Sequence, residues 1–240
     1  MINIIHAYPN LMNLYGEYAN VMVLKKRLEC AGYEVSLTRY NPGDEPDLSD
    51  CDFFYVGSGT ESSALAALHD IKRHGEIIKD YIGRGGKALF TGDSCVLVSN
   101  VVTLKNGESE SGLGLSDLDA AITGKERYAE YVMKTPLAGA EIIGVLNTTI
   151  GLSASKSPMF TTLCCTETPG IKTEGFTQNM LFATQFTGPL LVRNPAMLDY
   201  FASLAAGGGL PPCGETWMAY MIEGYDAVVS SLKRDCAKKK

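Results

Sequence analysis

The first half of the chain alternates short β-branched or aromatic segments with segments of helical periodicity. This pattern predicts four strands, at residues 2–7, 34–39, 53–56 and 87–91. Two helical segments lie between them, at 17–31 and 62–81, and the second has a break near Gly75. Such alternation is typical of a mostly parallel sheet whose strands are joined by crossover helices. We therefore predict a doubly wound α/β fold with helices on both faces of the sheet.

Glycine, proline, serine and threonine divide the second half into shorter segments. These segments predict antiparallel strands at 115–122, 128–133, 141–146 and 159–166, followed by a strand at 180–185. Pro195 is expected to open a helix that runs to Leu204, because the first turn tolerates a residue without an N–H. A final amphipathic helix over 215–236 is expected to bury Trp217, Met221, Val228 and Leu232. Since no linker or repeat is evident, we predict a single domain over 1–240 with an antiparallel extension.

The composition restricts the partners and the compartment. With 240 residues and 45% hydrophobic content, the chain can bury a full core. A net charge of -6 argues against a nucleic-acid partner, which would require clustered Lys and Arg. No segment reaches the roughly 20 apolar residues of a membrane span, and no cationic leader precedes the first strand. We expect a cytoplasmic protein without a secretory signal.

The seven cysteines are an odd number at irregular spacing. This arrangement favours reduced thiols over a disulfide framework. Cys164 and Cys165 are adjacent and are predicted to point to opposite faces of a strand. Such a placement does not suit the tetrahedral Cys and His groups of a zinc site. We therefore expect neither a metal nor a cofactor.

A glycine-rich loop, Gly57-Ser58-Gly59-Thr60, follows the third predicted strand. At the carboxyl end of a parallel strand, such a loop can offer backbone N–H groups to an anion or a developing oxyanion. The alternative is an ordinary strand-to-helix turn in which Thr60 or Ser62 caps the next helix. Taken alone, the loop favours this second interpretation.

A second loop, at 91–95, lies between the fourth strand and an apolar helix. A strained strand-turn-helix elbow of this kind presents a nucleophile above a sheet. Ser94 fits the serine-hydrolase elbow only in part, because Gly92 precedes it by two positions but Val96 replaces the second glycine. Cys95 would need a base or an electropositive niche to form a thiolate, and the neighbouring Asp93 would raise its pKa. We expect Cys95 to be a buried helix residue, with a reactive thiol as the alternative.

Several segments, which together span nearly the whole chain, resemble one enzyme family. The most specific are Tyr8-Pro-Asn-Leu-Met-Asn-Leu-Tyr-Gly16 with residues 19–28, and Gly188-Pro-Leu-Leu-Val-Arg-Asn-Pro195. Weaker similarity lies in the Gly57 loop and at 112–114, 126–127, 144–147 and 174–175. The chain resembles class I glutamine amidotransferases of the cobyric-acid-synthase type, and more narrowly the glutaminase subunit of lipid II isoglutaminyl synthase. The resemblance implies a flavodoxin-like class I glutaminase fold and a Mur-ligase-like partner subunit.

The resemblance also shows where this sequence departs from the family. Its enzymes use a cysteine, in Cys-Gly-Gly-Tyr-Gln, to attack the glutamine side chain, and a histidine, in Tyr-Leu-His-Gly-Pro, to move the proton. In this sequence the histidine position is Thr187, because the Gly-Pro pair that follows fixes the register. The cysteine position falls on Thr91, Gly92 or Asp93, depending on the length of the turn. Neither catalytic residue is therefore present at its expected position.

A third departure lies in the family segment Phe-Glu-Asn-His-x-Gly-Arg. It corresponds here to Val145-Leu-Asn-Thr-Thr-Ile-Gly-Leu152, so Thr148 replaces the histidine. The three histidines of the chain, His6, His69 and His74, all precede the elbow. His6, near the end of the first strand, is expected to be a packing residue. The sequence thus offers no downstream imidazole as a base.

Three functions fit these observations. The first is a catalytically degenerate amidotransferase-like subunit that binds a Mur-ligase-like partner, or a small amino-acid-like ligand in the vestigial pocket. The second is an active glutaminase that uses a displaced cysteine, Cys95, to supply ammonia to a ligase. The third is a binding module for an amino acid or peptide-like ligand, with Arg127 as the anchor for a carboxylate. We predict a pocket without a Cys-His pair, with the candidate residues Gly57, Ser58, Gly59, Asp93, Ser94, Arg127 and Thr187.

Overall fold

The computed structural model describes residues 1–167 and 170–238. In chain order, the strands in these ranges are β1 (Ile2–Ala7), β2 (Val35–Tyr40), β3 (Phe53–Val56), β4 (Ala88–Thr91), β5 (Val101–Thr103), β6 (Ser109–Ser111), β7 (Ala120–Thr135), β8 (Ala140–Leu152), β9 (Phe160–Cys165), β10 (Thr173–Glu174), β11 (Phe176–Gln178) and β12 (Leu181–Thr184). The helices are α1 (Tyr18–Cys30), α2 (Glu61–Ile71), α3 (Gly75–Gly83), α4 (Cys95–Val98), α5 (Leu190–Arg193), α6 (Pro195–Ala206) and α7 (Thr216–Ala237).

The first sheet has the strand order β11-β12-β4-β3-β1-β2. Its neighbouring strands are parallel except for the antiparallel pair β11 and β12. All four residues of β3 are buried, because helices cover both faces of the sheet. Phe54 meets the Tyr81 ring of α3 on one face, and Phe53 meets the Phe201 ring of α6 on the other. The predicted α/β fold with a mostly parallel sheet is confirmed.

The second sheet has the order β10-β9-β7-β5-β6. Outside this order, β8 also pairs with β7. It is antiparallel except for β5 and β7. The strands predicted at 115–122 and 128–133 are wrong as separate elements, because β7 is continuous and residues 115–119 lie outside it. Where a gap between two strands was expected, the pairing of β7 with β8 changes register between Ile122 and Arg127. Gly124, which lies in this stretch, has a φ of 67°. A bulge of this kind bends a strand without ending it.

Strand β8 attaches the second sheet to the segment that follows β12. The N–H of Thr187 donates to the carbonyl of Val145 at 2.9 Å. The Asn194 side chain accepts from the Ile143 N–H at 2.7 Å and donates to the Ile143 carbonyl at 2.9 Å. The backbone on both sides of the 187–194 segment is therefore fixed to β8.

The helix boundaries agree with the sequence at two informative points. The predicted break near Gly75 is confirmed, since α2 ends at Ile71 and α3 begins after a short 3-10 turn. Helix α6 begins at Pro195 as predicted and ends at Ala206, and the next residue, Gly207, has a φ of 75°. A residue in the left-handed conformation is a common helix stop, and glycine adopts it at little cost.

The buried face of α7 differs from the predicted one. Leu232 is buried as expected, but Trp217 and Met221 are half-buried and Val228 is 38% exposed. The buried residues of this helix are Met218, Val229, Leu232 and Cys236. Val229 and Leu232 share a small apolar cluster with side chains of β7 and β8. The prediction was wrong for Val228 because amphipathic periodicity alone does not fix which side of the helix packs against the rest of the protein.

Cys164 and Cys165 pack in different apolar clusters, as expected for consecutive residues of strand β9. Within residues 1–167 and 170–238, no group of three or more His, Cys, Asp or Glu side chains is arranged to hold a metal ion. In the same two ranges, none of the helices combines the length and the apolar character that crossing a bilayer requires.

Candidate functional site

Three adjacent parallel strands bring the predicted site residues, except Arg127, to one edge of the first sheet. The Gly57 loop follows β3, the elbow follows β4, and Thr187 lies three residues beyond β12. Because β12, β4 and β3 are parallel neighbours, their carboxyl ends meet at this edge. Open α/β sheets bind their ligands at such an edge.

The elbow turns at Gly92, which has a φ of 63°. A Cβ atom at this position would lie 2.3 Å from both Cβ and Oγ of Ser58. The Ser58 side chain is buried, and its hydroxyl accepts a 3.1 Å hydrogen bond from the N–H of Asp93. Ser58 therefore occupies the space that any side chain at residue 92 would need.

The glycines of the Gly57 loop allow close packing against the preceding 11–17 segment. A Cβ at Gly57 would lie 2.5 Å from the carbonyl oxygen of Met12 and 2.7 Å from Cβ of Glu17. A Cβ at Gly59 would lie 2.6 Å from the sulfur of Met12. Thr60 caps α2 and accepts from the N–H of Ser63 at 3.2 Å. These contacts explain the loop as a crowded strand-to-helix turn, which was the interpretation favoured for the loop alone.

The carboxylate of Glu17 lies at the centre of this edge and is fully buried. Its Oε1 accepts a 2.7 Å hydrogen bond from the Thr187 hydroxyl and a 2.8 Å hydrogen bond from the N–H of Gly188. Glu17 directly precedes α1, so the positive end of the helix dipole is close to its negative charge. Thr187 therefore has a carboxylate as its partner.

The second oxygen of Glu17, Oε2, receives three further donors. Tyr55 donates at 2.8 Å, the Asn20 amide donates at 3.1 Å, and the Thr91 hydroxyl also donates to it. Burial, and next the Glu17 charge, raise the pKa of Tyr55 well above its ordinary value, so the phenol keeps its proton. Glu17 thus joins the end of β4, at Thr91, to Thr187.

The sequence pattern predicts for Glu17 only the start of a helix. Its position offered one signal, since this acidic residue lies directly between two segments, 8–16 and 19–28, that carry the family resemblance. An acidic residue at a helix start is normally explained by the helix dipole alone. Nothing in its local pattern indicates burial beside Thr91 and Thr187.

A cavity of about 380 Å³ opens on the other side of the elbow. Gly59, Asp93 and Thr148 contribute to its lining. Asp93 is 6% exposed, and its Oδ1 accepts a 2.5 Å hydrogen bond from the Thr148 hydroxyl. Burial raises the pKa of Asp93 to about 6, and the charge of Glu61 acts in the same direction, against the Thr148 hydrogen bond. Gly59 and Asp93, two predicted site residues, thus meet Thr148 around one cavity.

The predicted pocket is divided in the structure. Gly57 and Thr187 do not contribute to the lining of the cavity beside Asp93, because both pack around Glu17. Thr187 is 2% exposed, and Thr91 is fully buried. The expectation of one pocket bounded by the Gly57 loop, Asp93 and Thr187 therefore needs correction: Asp93 faces a cavity, whereas Thr187 lies in a closed polar cluster.

Ser94 and Cys95 are not presented to solvent. The Ser94 hydroxyl donates to the carbonyl of Thr91 at 2.8 Å. Cys95 is fully buried in the apolar core below the elbow. Burial, with the charges of Glu174 and Asp93, raises its pKa well above the ordinary thiol value. The thiol therefore stays protonated and has no access to a substrate.

The three histidines have other environments. His6 is buried against the Tyr55 ring at 5.2 Å, and burial, with the charge of Arg39, lowers its pKa to about 4. His69 contacts Glu110 at 3.1 Å, and His74 contacts Glu45 at 3.5 Å. None of these contacts involves Cys95 or the elbow.

Arg127 lies apart from the cavity beside Asp93. Its guanidinium makes a bidentate ion pair with Glu167, with nitrogen to oxygen distances of 2.7 to 3.1 Å. Arg127 lines a different cavity of about 330 Å³, together with Glu174 and Gln185. The chain therefore already supplies a carboxylate to the arginine that was expected to bind one from a ligand.

Comparisons with known proteins give two sequence relatives of the same kind. No protein-family model matches the chain. The chain is 29% identical over 114 residues to the lipid II isoglutaminyl synthase (glutamine-hydrolyzing) subunit GatD of Streptococcus pneumoniae. This match covers 48% of the chain and 44% of the relative, so the chain spans less than half the length of that protein. The Staphylococcus aureus GatD subunit is 21% identical over 213 residues, which cover 85% of the chain and 84% of the relative.

Two solved structures have a similar fold. A crystal structure of a glutamine amidotransferase covers 84% of the chain with a TM-score of 0.54 and 14% identity. A glutamine amidotransferase from Thermotoga maritima covers 99% of the chain with a TM-score of 0.53 and 10% identity. At these identities the likeness concerns the fold alone. The chain therefore has a glutamine amidotransferase fold of class I type, and its sequence relatives are GatD glutaminase subunits of lipid II isoglutaminyl synthase.

Proposed function

We propose that this protein is a catalytically degenerate glutamine amidotransferase-like subunit that works with a Mur-ligase-like partner. One observation carries the proposal: the Glu17 carboxylate accepts hydrogen bonds from both Thr91 and Thr187. We assign the histidine position to Thr187 and the cysteine position to Asp93, within the turn of Thr91, Gly92 and Asp93 that the resemblance allows. The proposal treats residues 1–240 as one domain.

The chemistry of amide hydrolysis argues for loss of catalysis at this site. The reaction needs a thiolate and a group that passes its proton to the leaving ammonia. A threonine hydroxyl is a much weaker acid than a thiol, and Thr91 and Thr187 are already donors to Glu17. A nearby carboxylate would also raise the pKa of any thiol placed there. Removal of both nucleophile and base leaves only weak catalysis from binding contacts.

The partner and the pathway are proposed from the relatives. Both relatives are named as glutamine-hydrolyzing subunits of lipid II isoglutaminyl synthase. We propose that this chain retains the subunit role of the GatD proteins, in peptidoglycan synthesis, without their hydrolysis step. A cytoplasmic location, expected from cysteine usage, belongs to the same proposal.

Co-purification tests the subunit role. The full chain would be expressed with the Mur-ligase-like protein of the same organism, with a tag on the ligase-like chain only. We expect the two proteins to elute together in size-exclusion chromatography at a one-to-one ratio. Separate elution, under conditions in which a GatD protein and its own ligase subunit co-elute, would contradict the role.

A second function is favoured by the cavity beside Asp93, which leaves room for a small ligand. The expected amino-acid-like ligand needs a partner for its carboxylate, and Arg127 is paired with Glu167 instead. The chemical class of the ligand therefore has to be inferred from the cavity itself.

A further inference from the structure

The cavity beside Asp93 has an acidic and hydroxyl-rich lining. Its side chains include three carboxylates, from Glu61, Asp93 and Glu126, and hydroxyl groups of Ser and Thr. Among the described residues that line it, none is Lys, Arg or His. A lining of this composition disfavours anions and supplies acceptors for a cation.

Asp93 is the deeply buried carboxylate of this lining, and one of its oxygens has no hydrogen-bond donor among residues 1–167 and 170–238. Oδ1 accepts from Thr148, whereas no donor in the described part of the chain lies within hydrogen-bonding distance of Oδ2. An ionised carboxylate has about four acceptor sites, and buried polar groups are normally satisfied. The nearby Glu17 illustrates the usual outcome, since it accepts five hydrogen bonds. Asp93, which as a residue is 6% exposed, therefore offers the cavity an acceptor that no described residue uses.

The carboxylates nearer the solvent differ from Asp93. Glu61 is paired with Lys105 at 2.5 Å and accepts from Thr149 at 2.5 Å. Glu126 is exposed. The charge of Glu126 is screened by water, and the charge of Glu61 is neutralised by Lys105. The charge of Asp93 has neither form of compensation.

We propose that this cavity binds the primary ammonium group of a small organic cation, with Asp93 as its anchor. An ammonium group has three donors, which Asp93 Oδ2 and the hydroxyls of Thr148 and Thr60 can accept. The volume of about 380 Å³ admits a short carbon chain beyond the ammonium group. A free amino acid is disfavoured, because its carboxylate would meet Glu61 or Glu126 without a basic partner. The inference rests on the proposed function, since it treats the cavity as a binding site without catalysis.

The test compares three probes of equal chain length on the full protein: butylammonium, butan-1-ol and butyrate. Calorimetric titration near pH 7.5 should show heat of binding for butylammonium and none for the alcohol or the carboxylate. Because burial places the pKa of Asp93 near 6, this carboxyl is ionised at that pH. An equal response to butan-1-ol, a response to butyrate, or no response to butylammonium would overturn the proposal. Potassium chloride is the further control, and a site filled equally well by K⁺ would overturn the assignment to a primary ammonium group.

Two variants locate the bound probe. Asp93→Asn keeps the shape of the side chain and the acceptor for Thr148, and should weaken butylammonium binding at least about tenfold, as expected for loss of a charged hydrogen bond. Asp80→Asn removes a charge from an exposed position on α3 and should leave binding unchanged. Unchanged affinity in Asp93→Asn would overturn the assignment. If Asp93→Asn does not fold, the three-probe comparison on the unaltered chain still decides. A negative result in the butylammonium titration would not affect the proposed subunit role. Separate elution from the ligase-like protein would contradict that role, but it would not change what the titration says about the cavity.

Discussion

The hydroxyl of Thr187 donates a 2.7 Å hydrogen bond to the carboxylate of Glu17, a residue 170 positions earlier in the chain. The same carboxylate accepts from Thr91, which ends β4 at the base of the elbow. All three side chains have an exposed fraction of 2% or less. A closed polar cluster thus occupies the edge of the sheet at which the family resemblance places a cysteine and a histidine.

Replacement of Glu17 by glutamine should destabilise the fold. An amide NH₂ at the Oε1 position would face the N–H of Gly188, and at the Oε2 position it would face the amide of Asn20. Neither donor can rotate away, because the Asn20 carbonyl oxygen already accepts from the N–H of Leu191. We expect Glu17→Gln to lower the free energy of unfolding by about 2 to 4 kcal/mol in urea denaturation. The exposed Glu29→Gln on the same helix should change it by less than about 0.5 kcal/mol, and equal effects of the two variants would count against a structural role for the cluster.

Replacement of Gly144 by alanine should also destabilise the fold. A Cβ at residue 144 would lie 2.3 Å from the ring of Phe186, which is fully buried against the rings of Tyr131 and Phe160. We expect Gly144→Ala to cost about 1 to 3 kcal/mol of stability in thermal or urea unfolding. Gly151→Ala on the same strand is the matched control, since its nearest neighbour would be 3.8 Å away. A stable Gly144→Ala protein would show that Phe186 can move, and with it the segment that carries Thr187.

The sequence could predict the first sheet because its strands have strong local patterns. The run Phe53–Val56 is continuous and apolar, as a strand buried on both faces requires. The strands β5, β6, β10 and β11 have three residues or fewer, which is too short for a period to be detected. Gly124 lies between the strands predicted at 115–122 and 128–133, but in the structure it lies at a bulge within β7.

The candidate site could be predicted only where a motif fixed the position. The Gly-Pro pair located Thr187, and the tight turn located the elbow. The role of Glu17 depends on contacts with residues 91 and 187, and such contacts leave no periodic signal in the local sequence. The separation of Arg127 from Asp93 likewise depends on the pairing of β7 with its neighbours and on Glu167.

The stability of the protein should depend on pH through Glu174. Burial raises the pKa of this carboxyl from its ordinary value of 4.5 to about 7, against hydrogen bonds from Thr184 and the N–H of Gln185. The folded state therefore holds the proton more tightly than the unfolded chain. Its stabilising contribution is complete below about pH 4.5 and is lost as the pH rises through about 7.

Glu174→Gln removes this titration while it keeps both hydrogen bonds, because the amide can accept from Gln185 and donate to Thr184. We expect a flatter profile of unfolding free energy between pH 5 and 8, and above pH 7 a gain of up to about 3 kcal/mol. The exposed Glu34→Gln should leave the profile unchanged. A Glu174→Gln protein with the same pH profile as the original chain would contradict the assignment.

Chemical labelling should distinguish the buried Cys95 from an active nucleophile. We expect Cys95 to resist both iodoacetamide and a diazoketone analogue of glutamine in the native protein, because it is fully buried and its pKa is raised. The half-buried Cys213 serves as the internal reference, and denatured protein shows the full extent of labelling. Mass spectrometry of peptides that finds Cys95 modified before Cys213 would favour the alternative of a displaced glutaminase nucleophile.

The release of ammonia from glutamine tests the central claim most directly. The full chain, alone and with its Mur-ligase-like partner, would be compared with Cys95→Ala under identical conditions. Our account predicts that neither protein releases ammonia above the rate in buffer, since we propose that Thr91, Glu17 and Thr187 occupy the edge at which the resembled enzymes hold a thiolate and an imidazole. Release by the unaltered chain that is abolished in Cys95→Ala would contradict it.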